Sequence, residues 1–319
     1  MRGRLIGCIG LLAVSAAGGT LAGAGRQGIG QSPSSLPLTP TIREKGSSVT
    51  PAYEGWYYAK DGSVNALVGY FNRNTKQELD IPVGPNNRIE PGGPDQGQPT
   101  HFSPGRQWGV FSIKLPRDIG TKKLTWTIVA NGLTNAITLH TQPDYVVEPF
   151  EDAANKNTPP KLKFRADGPL FAGAPTGIAE KYPATVGTPL TLTVWATDEG
   201  PKINIPEGRG RGRGAAGRGA APAAGAPGAP AAAAAATPEF TPPPPIAVTW
   251  TMFRGPGAVK FENPKPKVAV DDGGKATTTA TFSAPGEYVL RVQGNDSTGE
   301  GGGGFQCCWT NSHVAVSVK

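Results

Sequence analysis

Leu190-Thr191-Leu192-Thr193-Val194-Trp195 decides the fold class, because its aliphatic residues fall on every second position. In an extended chain, successive side chains point to opposite faces, so this segment has one apolar face and one mixed face. The same period recurs in Phe111, Ile113 and Leu115, in Leu124, Trp126 and Ile128, and in Ile137 and Leu139. It returns in Val248, Trp250 and Met252. A chain written this way is predicted to be all-β, each sheet burying one face against a core.

Outward from these runs, strands are predicted over Gly55–Ala59, Val64–Asn72, Glu78–Val83, Gly109–Leu115, Lys123–Ala130 and Thr134–Thr141. They define an N-terminal β-sandwich domain over 48–147. A connector rich in proline and charge follows over 148–181, with one short strand at Lys161–Phe164. A second sandwich spans 182–319, with later strands at Ala258–Glu262, Lys275–Phe282, Glu287–Gln293 and His313–Val318. The expected architecture is two tandem immunoglobulin-like sandwiches. Between the second domain's early strands lies an Ala/Gly/Pro/Arg insert, 207–245. It lacks the apolar side chains that would offset the entropy of ordering, so it is predicted to be disordered. Gly84–Arg106 reads as a long loop rich in Pro, Gly and Asn, the expected binding surface of the first domain.

From 182 to 319 the chain resembles the PKD-like and immunoglobulin-like modules of secreted bacterial proteins. The residues that carry the likeness are Val248-Thr249-Trp250-Thr251, Arg254-Gly255-Pro256-Gly257 and Thr281 to Arg291, ending at Asn295-Asp296. The resemblance implies that Trp250 is a buried tryptophan in the strand-C position. It also implies that Tyr288 pins the turn at Pro285-Gly286 as a tyrosine corner. Leu290 stands where an antibody domain has its second cysteine, so apolar packing is expected in place of the inter-sheet bridge. Such modules serve as spacers, adhesive repeats and partner-binding units, so the likeness concerns fold more than activity.

Arg2 and Arg4 precede an uncharged stretch, Leu5–Gly25, that closes with Ala22-Gly23-Ala24. This is the pattern of a secretory signal peptide over 1–24, followed by a flexible leader over 25–47. The expected address is periplasmic or extracellular, with no membrane span after cleavage. Those two arginines leave with the signal, and Arg209, Arg211, Arg213 and Arg218 sit in the insert. Most of the formal net charge of +7 therefore lies outside the sandwiches, and no basic binding face is implied. Arg-Gly repeats without interleaved aromatic residues do not suit nucleic acid.

Several residues are candidates for chemistry. Cys307 and Cys308 are adjacent, about 3.8 Å apart at Cα, below the usual disulfide span of about 4.4–6.8 Å. A vicinal disulfide would need an irregular turn, for which Gly301–Gly304 supplies freedom. Bridges to another chain, and reduced thiols or a metal site, stay open beside it. Cys307, Cys308 and His313 together would suit copper, although alternation with Val314, Val316 and Val318 puts His313 on the solvent side. Asp198 and Asp296 end strands that neighbour each other in such a fold and could share a calcium ion at the rim. No other cofactor is implied.

Hydrolase signatures such as G-x-S-x-G and H-E-x-x-H do not occur. In the long loop, Asp95 and His101 could pair as an acid–base unit. Tyr53, Trp56, Tyr57 and Tyr58 cluster at the start of the first domain, where Trp56 and Tyr58 could offer a stacking surface. The functional expectation is a non-catalytic exported binding or assembly protein, its partner a protein or polysaccharide of the envelope. An accessory copper-handling protein comes second, and a secreted hydrolase third.

Overall fold

The computed structural model describes residues 43–116, 123–147, 150–151, 156–200, 246–296 and 308–319. The expected signal peptide, nearly all of the leader, the insert and Cys307 lie outside them. In chain order the first strands are β1 (Val49–Tyr58), β2 (Val64–Asn72), β3 (Leu79–Asp80), β4 (Asn87–Glu90) and β5 (His101–Phe102). Then come β6 (Gly105–Lys114), β7 (Leu124–Ala130) and β8 (Leu133–Leu139). The later strands are β9 (Lys161–Lys163), β10 (Ile178–Ala184), β11 (Leu190–Thr197) and β12 (Ile246–Arg254). β13 (Val259–Phe261), β14 (Lys275–Phe282), β15 (Gly286–Asp296) and β16 (Trp309–Val318) complete the order. The described residues are all-β, with only short 3-10 turns among them beside the sheets.

In the first half, sheet β1-β2-β6 faces sheet β4-β7-β8. Their inward residues form one core. Ala66 and Val68 come from β2, Phe111 and Ile113 from β6, Ile89 from β4, Trp126 and Ile128 from β7, and Leu139 from β8. Each fully buried aliphatic side chain contributes about 1.5–3 kcal/mol, which is why the period-2 runs locate this core. In the second half, β10-β16-β15-β12 faces β13-β14-β11-β9. Leu192, Val194, Ala280 and Phe282 meet Trp250, Leu290, Val292, Val314 and Val316 across that space. Trp250 is buried, and the Tyr288 hydroxyl donates to the Ala284 carbonyl at 2.9 Å, holding the turn before β15.

Three expectations need correction. Gly84–Arg106 is not an open loop. It contains β4 and β5, and Asn87, Ile89, Gln98 and Phe102 within it are fully buried. Asn87 Nδ2 donates to the carbonyls of Ile81 and Pro99, and Trp126 Nε1 donates to Asn87 Oδ1, so polar side chains do the pinning that strand runs do elsewhere. The connector strand belongs to the second sandwich, since β9 pairs with β11 through Lys163–Trp195. Finally, the two halves are not beads on a string: Ile42–Lys319 is a single compact unit. A register shift between Met252 and Arg254 in β12 accompanies this union. Phe253, at the shift, enters the first core while Met252 stays in the second.

Candidate functional site

The two sandwiches meet through the outer face of β1-β2-β6 and the outer face of β15-β16. Along β16, Val314, Val316 and Val318 point into the second core, so Trp309, Asn311 and His313 must point the other way. That other way is towards β6. Trp309 packs with Tyr57, Leu67 and Ala174 in a small apolar plug. Asn311 Nδ2 donates to the carbonyls of Trp108 at 2.9 Å and Gly109 at 3.1 Å. His313 Nε2 lies 3.0 Å from the Val110 carbonyl, and its ring packs 4.3 Å from that of Phe253.

Beside the plug lies a buried charged network. A register shift between Tyr53 and Gly55 in β1 marks a bulge around Glu54. Glu54 Oε1 accepts from Arg106 Nη2 at 2.8 Å, and its Oε2 accepts from the Gly109 amide at 2.8 Å. Arg106 Nη1 also donates to the carbonyls of Tyr70 and Gln107, and its guanidinium lies 3.8 Å from the centre of the Trp108 ring. From the second sandwich, Arg291 Nη2 donates to Gln107 Oε1 at 2.6 Å. Burial pushes the Glu54 carboxyl up to about 7, against the opposing pull of Arg106, the Gly109 amide and Arg291. Burial likewise lowers the Arg291 guanidinium. It pushes His313 down to about 4, helped by the nearby Arg291 charge and opposed by the Val110 carbonyl. Removing one member of such a set leaves a buried charge without compensation, a loss of about 3–5 kcal/mol.

Where the second sandwich stops covering β1-β2-β6, the same sheet face opens into a groove of about 730 Å³. One wall is the β1–β2 hairpin with Lys114 of β6, and the other is residues 170–177. Both walls are fastened. Tyr57 Oη donates to Ser112 Oγ at 2.9 Å, and the Ser63 amide donates to Asp61 Oδ1 at 2.9 Å. Across the groove, the Gly173 amide donates to Thr310 Oγ1 at 2.9 Å, and the Asn311 amide donates to the Gly173 carbonyl at 3.0 Å. The far wall is thus hung from β16, the strand that makes the joint.

The candidate residues fall in different places. Asp95 and His101 do not pair with each other. Asp95 accepts both terminal nitrogens of Arg254, at 2.7 and 2.9 Å, which holds its carboxyl below the usual range. His101 Nδ1 sits 2.8 Å from Asp80 Oδ1, with its Nε2 3.6 Å from Glu78. Trp56 is buried and its Nε1 donates to the Gln142 carbonyl at 2.7 Å; Tyr53 Oη donates to the His140 carbonyl. Both therefore anchor the chain after β8. Tyr58 alone of the cluster is open, 55% exposed at the groove rim, its ring edge-on to Trp56 at 5.3 Å.

His313 is buried, not solvent-facing. It does alternate with Val314, Val316 and Val318, but the outer face of β16 is covered by β6. Cys308 is buried and disulfide-bonded, and Asn157 Nδ2 reaches its sulfur at 3.5 Å. Five residues of extended chain put Cys308 about 16 Å from His313, too far for one copper ion. Asp198 and Asp296 do not end neighbouring strands, because β11 and β15 lie in the two opposed sheets of the second sandwich; burial raises the Asp198 carboxyl, and the Asp296 charge adds to it. Asp296 also accepts from Asn157 Nδ2 at 2.5 Å. Among the described residues, no group of three or more His, Cys, Asp or Glu side chains is placed to hold a metal ion.

The joint itself had no signature in the sequence. Glu54, Arg106 and Arg291 read as ordinary outward-facing charges, because nothing in one strand's pattern reports that a second sheet covers its outer face. Among the described residues no helix is long and apolar enough to cross a membrane.

Neither a protein-family model nor a curated protein sequence matches the chain. Among solved structures, a tandem pair of titin immunoglobulin domains superposes at TM-score 0.21 with 11% identity, over 86% of this chain and 99% of that one. A long piece of the S-layer protein SbsC superposes at TM-score 0.20 with 13% identity, over 86% of this chain and 28% of that one. Domains 4 and 5 of SbsC give 0.20 and 13%, over 85% and 98%. Superpositions this loose decide nothing about this chain.

Proposed function

We propose that the chain is an exported, non-catalytic binding protein in which two β-sandwich domains, the first over 48–147 and the second over 182–319 with the connector strand β9 and the start of β10 added to it, are locked into one platform. The observation that carries this reading is the buried network joining Glu54 and Arg106 to Gln107 and Arg291. A lock of that kind removes hinge motion and fixes the walls of the groove beside it. A preformed groove spares a ligand the entropy of ordering its site. The pairing of Asp95 with Arg254, and of His101 with Asp80, gives the candidate acid and base structural partners in place of a substrate. Cleavage after Ala24 and release outside the inner membrane complete the proposal.

The test uses the whole chain, immobilised and incubated with a native envelope extract. It should retain an envelope component and release it chemically unchanged. Turnover of the retained material would make the protein an enzyme. Recovery of unprocessed chain from the cytosol would end the export reading.

A further inference from the structure

A strand at the edge of a sheet presents a row of unpaired N–H and C=O groups, and proteins blunt such rows with charge, proline, bulges or a covering segment. Most edges of this fold carry one of these devices. β10 contains Glu180, Lys181 and Pro183. β13 is only three residues long, with Lys260 at its centre. The outer side of β9 exchanges bonds with Phe171, and on β12 the Trp250 amide donates to the Pro264 carbonyl. Beside β4, Gln96 Nε2 donates to the Ile89 carbonyl at 2.8 Å.

β8 is different. It is the edge of sheet β4-β7-β8, and its sequence Leu133-Thr134-Asn135-Ala136-Ile137-Thr138-Leu139 holds no charge and no proline. Its pairing with β7 runs without a register shift. The turn before it, Asn131-Gly132, has φ +49° and +76°, the left-handed pair of a two-residue hairpin. Ala130 and Leu133 then exchange bonds, and so does every second residue of β8 with β7. Thr134, Ala136 and Thr138 therefore turn their N–H and C=O groups to the open side. Among the described residues no backbone segment pairs with them there. Thr134 and Ala136 are also exposed.

The strand is nearly its own complement. About Ala136, Leu133 mirrors Leu139 and Thr134 mirrors Thr138, so only Asn135 and Ile137 break the symmetry. A second β8 laid antiparallel with Ala136 opposite Ala136 brings each Thr134 against Thr138 of the other copy. Threonine pairs across strands are favourable. All three open residues of each strand then meet open residues, giving about six backbone hydrogen bonds. Sliding the register by two residues loses one of these pairs.

We propose that two copies of the chain associate through β8, antiparallel about a twofold axis at Ala136, so that their β4-β7-β8 sheets become one. Both copies use the same edge, so the assembly closes at two. It uses neither the joint nor the groove beside it, and so stands apart from the binding role given above. A contact confined to one strand edge is small and belongs with transient pairs, which form and part as concentration changes.

The experiment is sedimentation equilibrium of the whole chain from about 1 µM to about 1 mM, the range in which small interfaces assemble. The mass should rise from one chain to two and stop there. Ala136→Lys and Ala136→Glu each set like charges opposite one another across the axis, and each should weaken association about tenfold or more. An equimolar mixture of the two variants should restore it. Ala136 is exposed and its amide bonds to nothing within the chain, so the far-UV spectrum and dilute urea midpoint should not change. A chain that stays monomeric throughout overturns the proposal, as does a dimer that both variants leave intact. Growth beyond two copies overturns the closed twofold pairing. Two weakened variants that do not rescue each other place a different residue at the axis and overturn the register.

Discussion

The Trp309 indole fills the space that a Cβ on Gly109 would need: such an atom would lie 1.9 Å from Cη2 of the ring. Gly109 also has φ +50°, in the left-handed region. One residue of β6 is thus glycine for two separate reasons, backbone conformation and close approach of the opposite sandwich.

Gly109→Ala should therefore destabilise the protein by roughly 2–5 kcal/mol, the sum of overpacking and strain at positive φ. In a Trp309→Ala background the overpacking disappears, and only the strain, about 1–2 kcal/mol, remains. Urea denaturation of the four proteins of this cycle checks it. Equal cost of Gly109→Ala in both backgrounds would mean that Trp309 does not fill that space.

Glu54 and His313 give the joint opposing pH dependences. Glu54 has a folded pKa of about 7 against an ordinary 4.5, so the folded state holds its proton more tightly and stability falls as pH rises from about 4.5 to about 7. His313 has a folded pKa of about 4 against 6.5, so it costs stability as pH falls from about 6.5 to about 4. Within 4.5–6.5 the two slopes, each about 1.4 kcal/mol per pH unit at most, oppose each other. Wild-type stability should be nearly flat there. Glu54→Gln should expose a stability that rises with pH, and His313→Gln one that falls with pH. Denaturation midpoints at several pH values decide the matter: parallel profiles for all three proteins would remove both groups from the linkage.

The contrast between these residues and the cores shows what was legible. Leu192, Val194, Trp126 and Ile128 announce themselves because burial on one face repeats every second residue. Tyr288 and Trp250 are legible through the turn and strand they sit in. His313 shows the limit. Its alternation with Val314 was readable, yet the same pattern describes a face open to water and a face covered by another sheet. Asn87 shows a second limit. Its segment lacks an apolar run, and a single asparagine bonded to two carbonyls replaces one. Groove residues such as Tyr58 were visible as an aromatic cluster, but their division into anchors and one exposed ring depends on the register shift after Tyr53.

Tyr288→Phe should cost about 1 kcal/mol, the net worth of its hydrogen bond to the Ala284 carbonyl. Gly255→Ala should cost more, because its Cβ would lie 2.1 Å from Tyr288 Cδ1, with the ring fully buried. Thermal denaturation ranks the two. A Tyr288→Phe protein as unstable as Gly255→Ala would place the main contribution in the hydroxyl and not in the packing of the ring.

A second tie between the sandwiches, Asp95 with Arg254, lets the buried and exposed contributions to the lock be separated. Its carboxylate is 55% exposed, while Arg254 Nε also donates to the Gln98 carbonyl at 2.7 Å. Solvent screening limits the ion pair itself to about 1 kcal/mol or less. Gln98 is buried, however, so loss of the arginine also strips its carbonyl of a partner, at about 1–3 kcal/mol. Asp95→Asn should therefore be mild, Arg254→Ala clearly worse, and Glu54→Ala worst above about pH 7, where Glu54 is ionised, at about 3–5 kcal/mol, because it leaves the buried Arg291 and the partly buried Arg106 without a carboxylate. If Asp95→Asn proves as damaging as Glu54→Ala in urea denaturation, the lock lies at the rim, and the buried network is not what holds the two halves together.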